Sequence, residues 1–164
     1  MATYGEILQK LTDPARDALR NAMKLAGIRR NRTVELVHWL EQMALTTGSD
    51  IQKIAAHYGI NVSHLAADLT RAIDALPKAE VDQRPLSDNI NEAIDDAWRN
   101  SGLVFGDHVI RSGYILYACL KSSMNRQILL NVSEQFAKID HLPDLGIAPD
   151  DGVDLALLGP CGQI

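Results

Sequence analysis

Glu35 and His38 stand three residues apart in the stretch VELVHWL, a spacing that puts two metal-capable side chains on one face of a helix. A metal site needs more ligands than that, and the second half of the chain offers Arg111 and Tyr114 where a matching pair would fall. We therefore read His38 as a structural histidine, hydrogen-bonded near the interface between the two halves. Cys119 lies among apolar residues and reads as a small hydrophobe, and Cys161 sits in a Gly/Pro/Asp-rich tail. The two cysteines form neither a zinc spacing nor a disulfide framework. The chain contains no G-x-x-x-x-G-K-[ST] phosphate loop, and no local Ser/His/Asp or Cys/His set suggests a nucleophile. These residues point to binding rather than catalysis, with no metal and no cofactor held by this chain.

The segment Ile51–Ile73, IQKIAAHYGINVSHLAADLTRAI, imitates a DNA-reading helix-turn-helix through Ala55, Gly59, Ile60, Ser63 and Leu65. Its reading helix would carry Asp68 and Asp74 against Arg71 and His64, a poor balance for a phosphate backbone. The basic run Arg29, Arg30 and Arg32 reads as a solvated loop or as the partner of an acidic stretch elsewhere.

The bulk properties agree. With 164 residues, 46% of them apolar and 23% charged, the chain can bury one substantial core. A net charge of −5 disfavours nucleic acid, no apolar run suits a bilayer span, and the N-terminus is no secretory signal. The expectation is a cytoplasmic protein with reduced thiols, without nucleic-acid or membrane partners.

Helical spacing dominates the elements that must position these residues. Tyr4, Ile7, Leu8 and Leu11 predict a short amphipathic helix. Thr12-Asp13-Pro14 restarts the chain into a helix whose inward face is Ala15, Ala18, Leu19, Ala22, Met23 and Ala26, ended by Gly27. From Thr33 a central helix carries Val34, Val37, Trp39, Leu40, Met43, Ala44 and Leu45, a stripe too wide for a half-exposed helix. Two further helices follow, the second capped by Asn61 and closed by Pro77. Residues 78–86 read as a linker. The second half then repeats the order: a helix capped by Ser87, a central apolar helix near Ile110–Leu120, a short helix around Ile128–Leu130 and one with Val132, Phe136 and Ile139. Ala22, Met23 and Gly27 match Ala97, Trp98 and Gly102 at an offset of 75 residues. After one inserted residue, Val34, Trp39, Leu40 and Met43 match Ile110, Ile115, Leu116 and Cys119 at 76. Each half alone would be marginal, so the two are expected to share a core.

Three segments then carry a family resemblance. Val34–Leu40, Leu65–Leu69 with Leu76-Pro77, and Phe105-Gly106 leading to Arg111–Leu116 resemble the N-terminal domain of the Clp/Hsp100 AAA+ unfoldases, most of all the ClpV (TssH) branch of type VI secretion. The likeness covers residues 4–142. It implies an all-α, pseudo-twofold double repeat of four-helix units plus an extra N-terminal helix. The expected organisation is a domain over 1–145, with repeats at 12–77 and 87–142, a linker at 78–86 and a flexible tail at 146–164.

The same resemblance implies a docking domain whose ATP-binding modules lie elsewhere in a hexameric parent, the isolated domain being monomeric. Its partner would be a short helix of the sheath protein VipB (TssC), or, for a ClpB-like domain, unfolded or aggregated chains. For the helix reading we expect one wall of a groove at Tyr4, Ile7, Leu8 and Leu11 and the other at Leu86, Ile90 and Ile94.

Overall fold

The computed structural model describes residues 3–139, and the predicted tail, Leu142 and Cys161 lie outside them. The chain runs α1 (Tyr4–Leu8), α2 (Asp13–Ile28), α3 (Leu36–Leu45), α4 (Asp50–Tyr58), α5 (Val62–Asp74), α6 (Asp88–Leu103), α7 (Ser112–Lys121), α8 (Ser123–Val132) and a 3-10 helix at Glu134–Lys138. The fold is all-helical, as the spacing predicts.

Two central helices organise the rest. α3 buries every residue from Leu36 to Met43 except half-buried Gln42, and α7 buries all of Ser112–Leu120. A helix that is apolar nearly all round must be wrapped on all sides. α2 and α5 cover α3, while α6 and α8 cover α7. The alanines of α2 let the helices approach closely enough for the Trp39 indole to donate to the Ala15 carbonyl at 3.1 Å. Trp39, Met43, Leu69, Ile90, Ile94, Ile110 and Ile115 are fully buried and belong to one shared core.

The repeat appears in the backbone as an exchange between the halves. Leu11 bridges Ile110, and Leu86 bridges Val34, both in parallel register. Thr12 N donates to Ile110 O at 2.9 Å and Ile110 N to Lys10 O at 2.7 Å. At the offsets read from the sequence, their counterparts are Ser87 N to Val34 O and Val34 N to Pro85 O, both 2.9 Å. Each half thus lends the short extended segment before its first helix to the segment before the other half's central helix.

That exchange corrects two predicted helix ends. Leu11 lies beyond α1, and Val34 precedes α3, because both backbones are engaged in the bridges. Three further expectations change. Gly27 is not the stop of α2; Arg30 takes the left-handed turn with φ 59°, and Asn31 N closes the end on Ala26 O at 2.9 Å. Met23 and Leu45, both expected on inward stripes, point outward and are 48% and 57% exposed. The helix predicted over Phe136 and Ile139 is a short 3-10 helix, Glu134–Lys138, opened by the Ser133 hydroxyl, which accepts from Gln135 N, and ended before Ile139.

The presumed linker is strapped down. Lys78 bridges Asn31, Ala79 N donates to Arg30 O at 3.0 Å, and Arg84 Nε donates to Asn31 O at 2.6 Å. The basic run is also used internally: Arg29 pairs with Asp74, and Arg30 reaches Glu80 at 3.5 Å.

Candidate peptide-binding site

The sequence placed two walls of a groove on α1 and at the start of α6, and the structure brings those helices into contact. It places their residues unequally. Ile7, Leu11, Ile90 and Ile94 are buried in the shared core, the last two with no exposed surface, so they hold the wall from behind. Leu86 is half-buried in its bridge to Val34 and lines neither of the clefts that flank α1. Tyr4 and Leu8 remain within reach of a partner.

α1 therefore has two different flanks. Towards α6, Tyr4, Asn91, Glu92 and Asp95 line a cleft of about 480 Å³. The Tyr4 hydroxyl donates to Asn91 Oδ1 across it, and partial burial holds this phenol above its ordinary pKa. That cleft is polar and acidic. Towards α2, Leu8, Leu11, Leu19 and Met23 form the floor of a groove of about 390 Å³, edged by Gln9, Arg16 and Arg20. Arg16 is held across its end by a 2.8 Å hydrogen bond to the Leu11 carbonyl.

Trp98 is the counterpart of Met23; the Lys10 ammonium just after α1 lies 5.7 Å from the centre of its ring, while Met23 stays 48% exposed. The sequence reading missed Leu19, Met23, Arg16 and Arg20 as groove residues. The available signal was the pair of large side chains at 19 and 23, one turn apart in a face otherwise made of alanine.

The remaining constellations have structural roles. His38 Nδ1 accepts from Glu35 N at 2.9 Å, and Nε2 lies 2.8 Å from Asn31 Oδ1, so both ring nitrogens are engaged. Glu35 and His38 form a capping box at the start of α3. Burial, helped by the nearby Arg29 charge, pulls the His38 pKa down to about 4. The histidine serves the first half rather than the interface between halves. Among the described residues no group of three or more His, Cys, Asp or Glu could hold a metal ion. Burial pushes the Cys119 thiol up to about 12, which leaves it protonated and inert.

At the interface itself, Asp50 opens α4 with no exposed surface and receives Arg111 Nε and Nη2, both at 3.3 Å, and Gly113 N at 3.1 Å. The helix-turn-helix lookalike is the α4–α5 corner, turned by Gly59 at φ 70°. Asp68 on its second helix accepts from the Ser133 hydroxyl at 2.6 Å, which ties that helix to the other half.

The Clp repeat (R) N-terminal domain family matches residues 10–132, most of the described chain. This protein belongs to that family. The chain is 34% identical over 151 residues, 88% of its length, to the AAA+ ATPase ClpV1 of Pseudomonas aeruginosa, of which it spans 17%. A solved structure from work on the ATPase ClpV and the TssB–TssC sheath superposes with a TM-score of 0.80 at 34% identity, covering 85% of this chain and 86% of that one. A second, a complex of a ClpV N-domain with a VipB peptide, shares the fold with a TM-score of 0.67 at 22% identity, covering 84% and 88%. The Clp domain described here is thus similar to a small N-terminal part of much longer AAA+ proteins. Among its described residues no helix is long and apolar enough to cross a membrane.

Proposed function

We propose that this domain is the substrate-docking module of a hexameric AAA+ unfoldase, and that it receives a short amphipathic helix of a VipB/TssC-like sheath protein so that contracted sheaths are taken apart and reused. ATP hydrolysis would belong to modules outside this chain. The observation that carries the reading is the groove between α1 and α2, where exposed Met23 and half-buried Leu8 lie beside the buried Leu11 and Leu19. The likeness to ClpV1 and to a ClpV N-domain that binds a VipB peptide supports the choice of partner. Leu8 on α1 and Leu19 and Met23, one turn apart on α2, offer contact to the apolar anchors of a guest helix, each anchor contributing about 1.5–3 kcal/mol before ordering costs. The net affinity is then modest, and six copies on one ring would raise it by avidity.

A fluorescently labelled N-terminal helix of the sheath protein, titrated with residues 1–164, tests this. Leu8→Asp together with Met23→Asp should weaken binding at least about tenfold, since a buried unpaired carboxylate in a contact is costly. The helical melt should move little, because neither side chain is fully buried. Undiminished binding in that variant would remove the groove from the site. Equally tight binding of unrelated unfolded chains would replace the sheath reading with a ClpB-like one. Ile7→Asp is unsuitable as a probe, because Ile7 is only 7% exposed and its loss would unfold the wall.

A further inference from the structure

The two flanks of α1 carry opposite charge. On the apolar side, Arg16 and Arg20 follow one another by one turn along the edge of the groove. On the other side Glu92 and Asp95 line the α1–α6 cleft, in a chain whose net charge is −5. The carboxylates that pair with these arginines among the described residues are exposed. Arg16 meets Asp13, whose side chain is 85% exposed, and Arg20 meets Asp17, 62% exposed. Exposed pairs at this spacing are weak and yield readily to a better-placed carboxylate. Arg16 is in addition fixed in place by the Leu11 carbonyl, so one cation is preorganised beside the apolar floor.

Resting on the reading of the α1–α2 groove as the docking site, we infer that its occupant is an acidic amphipathic helix, with two carboxylates one turn apart bordering its apolar anchors. A helix lying along α2 repeats side chains at the same axial spacing as α2 itself, so carboxylates at i and i+4 meet Arg16 and Arg20 together. The guest presents its carboxylates towards α2, because turning them to α1's other flank sets them against Glu92 and Asp95. Rim charges of this kind steer association and fix register more than they add affinity.

The test uses three labelled helical peptides of about four turns with identical leucine anchors, differing only in whether the edge pair is Glu, Gln or Lys. They are titrated with residues 1–164 by fluorescence anisotropy, alongside the sheath helix. The Glu peptide should bind about tenfold or more tighter than the Lys peptide at low salt, and the gap should shrink as screening sets in at about 0.3 M. Arg16→Glu with Arg20→Glu should invert the order, so that the Lys peptide binds best. Arg20→Glu alone, whose side chain is 60% exposed, should halve the discrimination without touching the fold.

Equal affinity for all three, or a preference for Lys in the unaltered protein, overturns the inference while leaving the docking function standing. Failure of all three while the sheath helix binds does the same. Failure of the sheath helix as well brings down the docking reading beneath it. Binding of the Glu peptide only after removal of residues 140–164 would show that the chain's own acidic and apolar stretch, residues 150–158, is the occupant, and would overturn the choice of an external partner.

Discussion

His38 couples the fold to pH. Its ring accepts from the Glu35 amide and faces the Asn31 amide oxygen, an arrangement that suits the neutral form. Its pKa falls from the ordinary 6.5 to about 4 on folding, chiefly through burial. Between those values the unfolded chain binds the proton and the folded one does not, so stability is full above about 6.5 and is lost as pH falls towards 4. The loss should reach about 3 kcal/mol at the lower end. Urea titrations at a series of pH values measure it, and in His38→Gln the slope across this window should vanish. Asp68 adds a separate acid limit: the Ser133 hydrogen bond, with Arg71 beside it, holds its carboxyl below the usual range. Its contribution is present above the ordinary carboxylate pKa and disappears only in the more acidic region below it.

Between elements, one joint across the two halves lies where the N-termini of α4 and α7 meet through Asp50 and Arg111. The pair is buried, bidentate and completed by the Gly113 amide, which satisfies the carboxylate that burial would otherwise penalise. Removing one partner leaves the other charge stranded. Asp50→Ala or Arg111→Met should each cost about 3–5 kcal/mol, and the double variant clearly less than the sum. A double-mutant cycle by urea unfolding reads this directly, and additive losses would mean that the two charges do not depend on each other. The joint also shows how the halves diverged. Arg111 occupies the place of Glu35, so one copy caps its central helix locally with His38 while the other reaches across to α4.

At the scale of the whole molecule, the exchanged bridges and the common core make the halves one cooperative unit. Each half carries its own tryptophan, Trp39 in the first and Trp98 in the second. In each single-tryptophan variant, the fluorescence of the remaining tryptophan should therefore give the same urea midpoint as the far-UV circular dichroism of the whole chain. Met43→Ala, which empties a fully buried site of the first half, should lower both midpoints together by about 2–5 kcal/mol of stability. Separate midpoints would show that the halves melt independently.

Sequence periodicity by itself determined that the chain is helical, that α3 and α7 are central, and that two copies of one plan are present. Those features are local or repetitive: an apolar stripe of period 3.6, a capping Asn61 or Ser87, and a fixed offset between copies all survive in one dimension. The site was only partly legible. Ile7, Leu11, Ile90 and Ile94 have the spacing of a binding face, but a core face has the same spacing, and only packing tells which apolar stripe is covered. Met23 was hidden in the opposite way, inside a stripe that reads as core, and only the packing leaves it half exposed while Leu19 one turn earlier is covered. The strapping of residues 78–86 and the reach of Asp50 to Arg111 join residues about 50 to 60 positions apart, beyond any local pattern. The tertiary structure decided which face of α1 is floor, which is wall, and where the positive edge lies, because burial and charge neighbours belong to the arrangement of helices and not to any one of them.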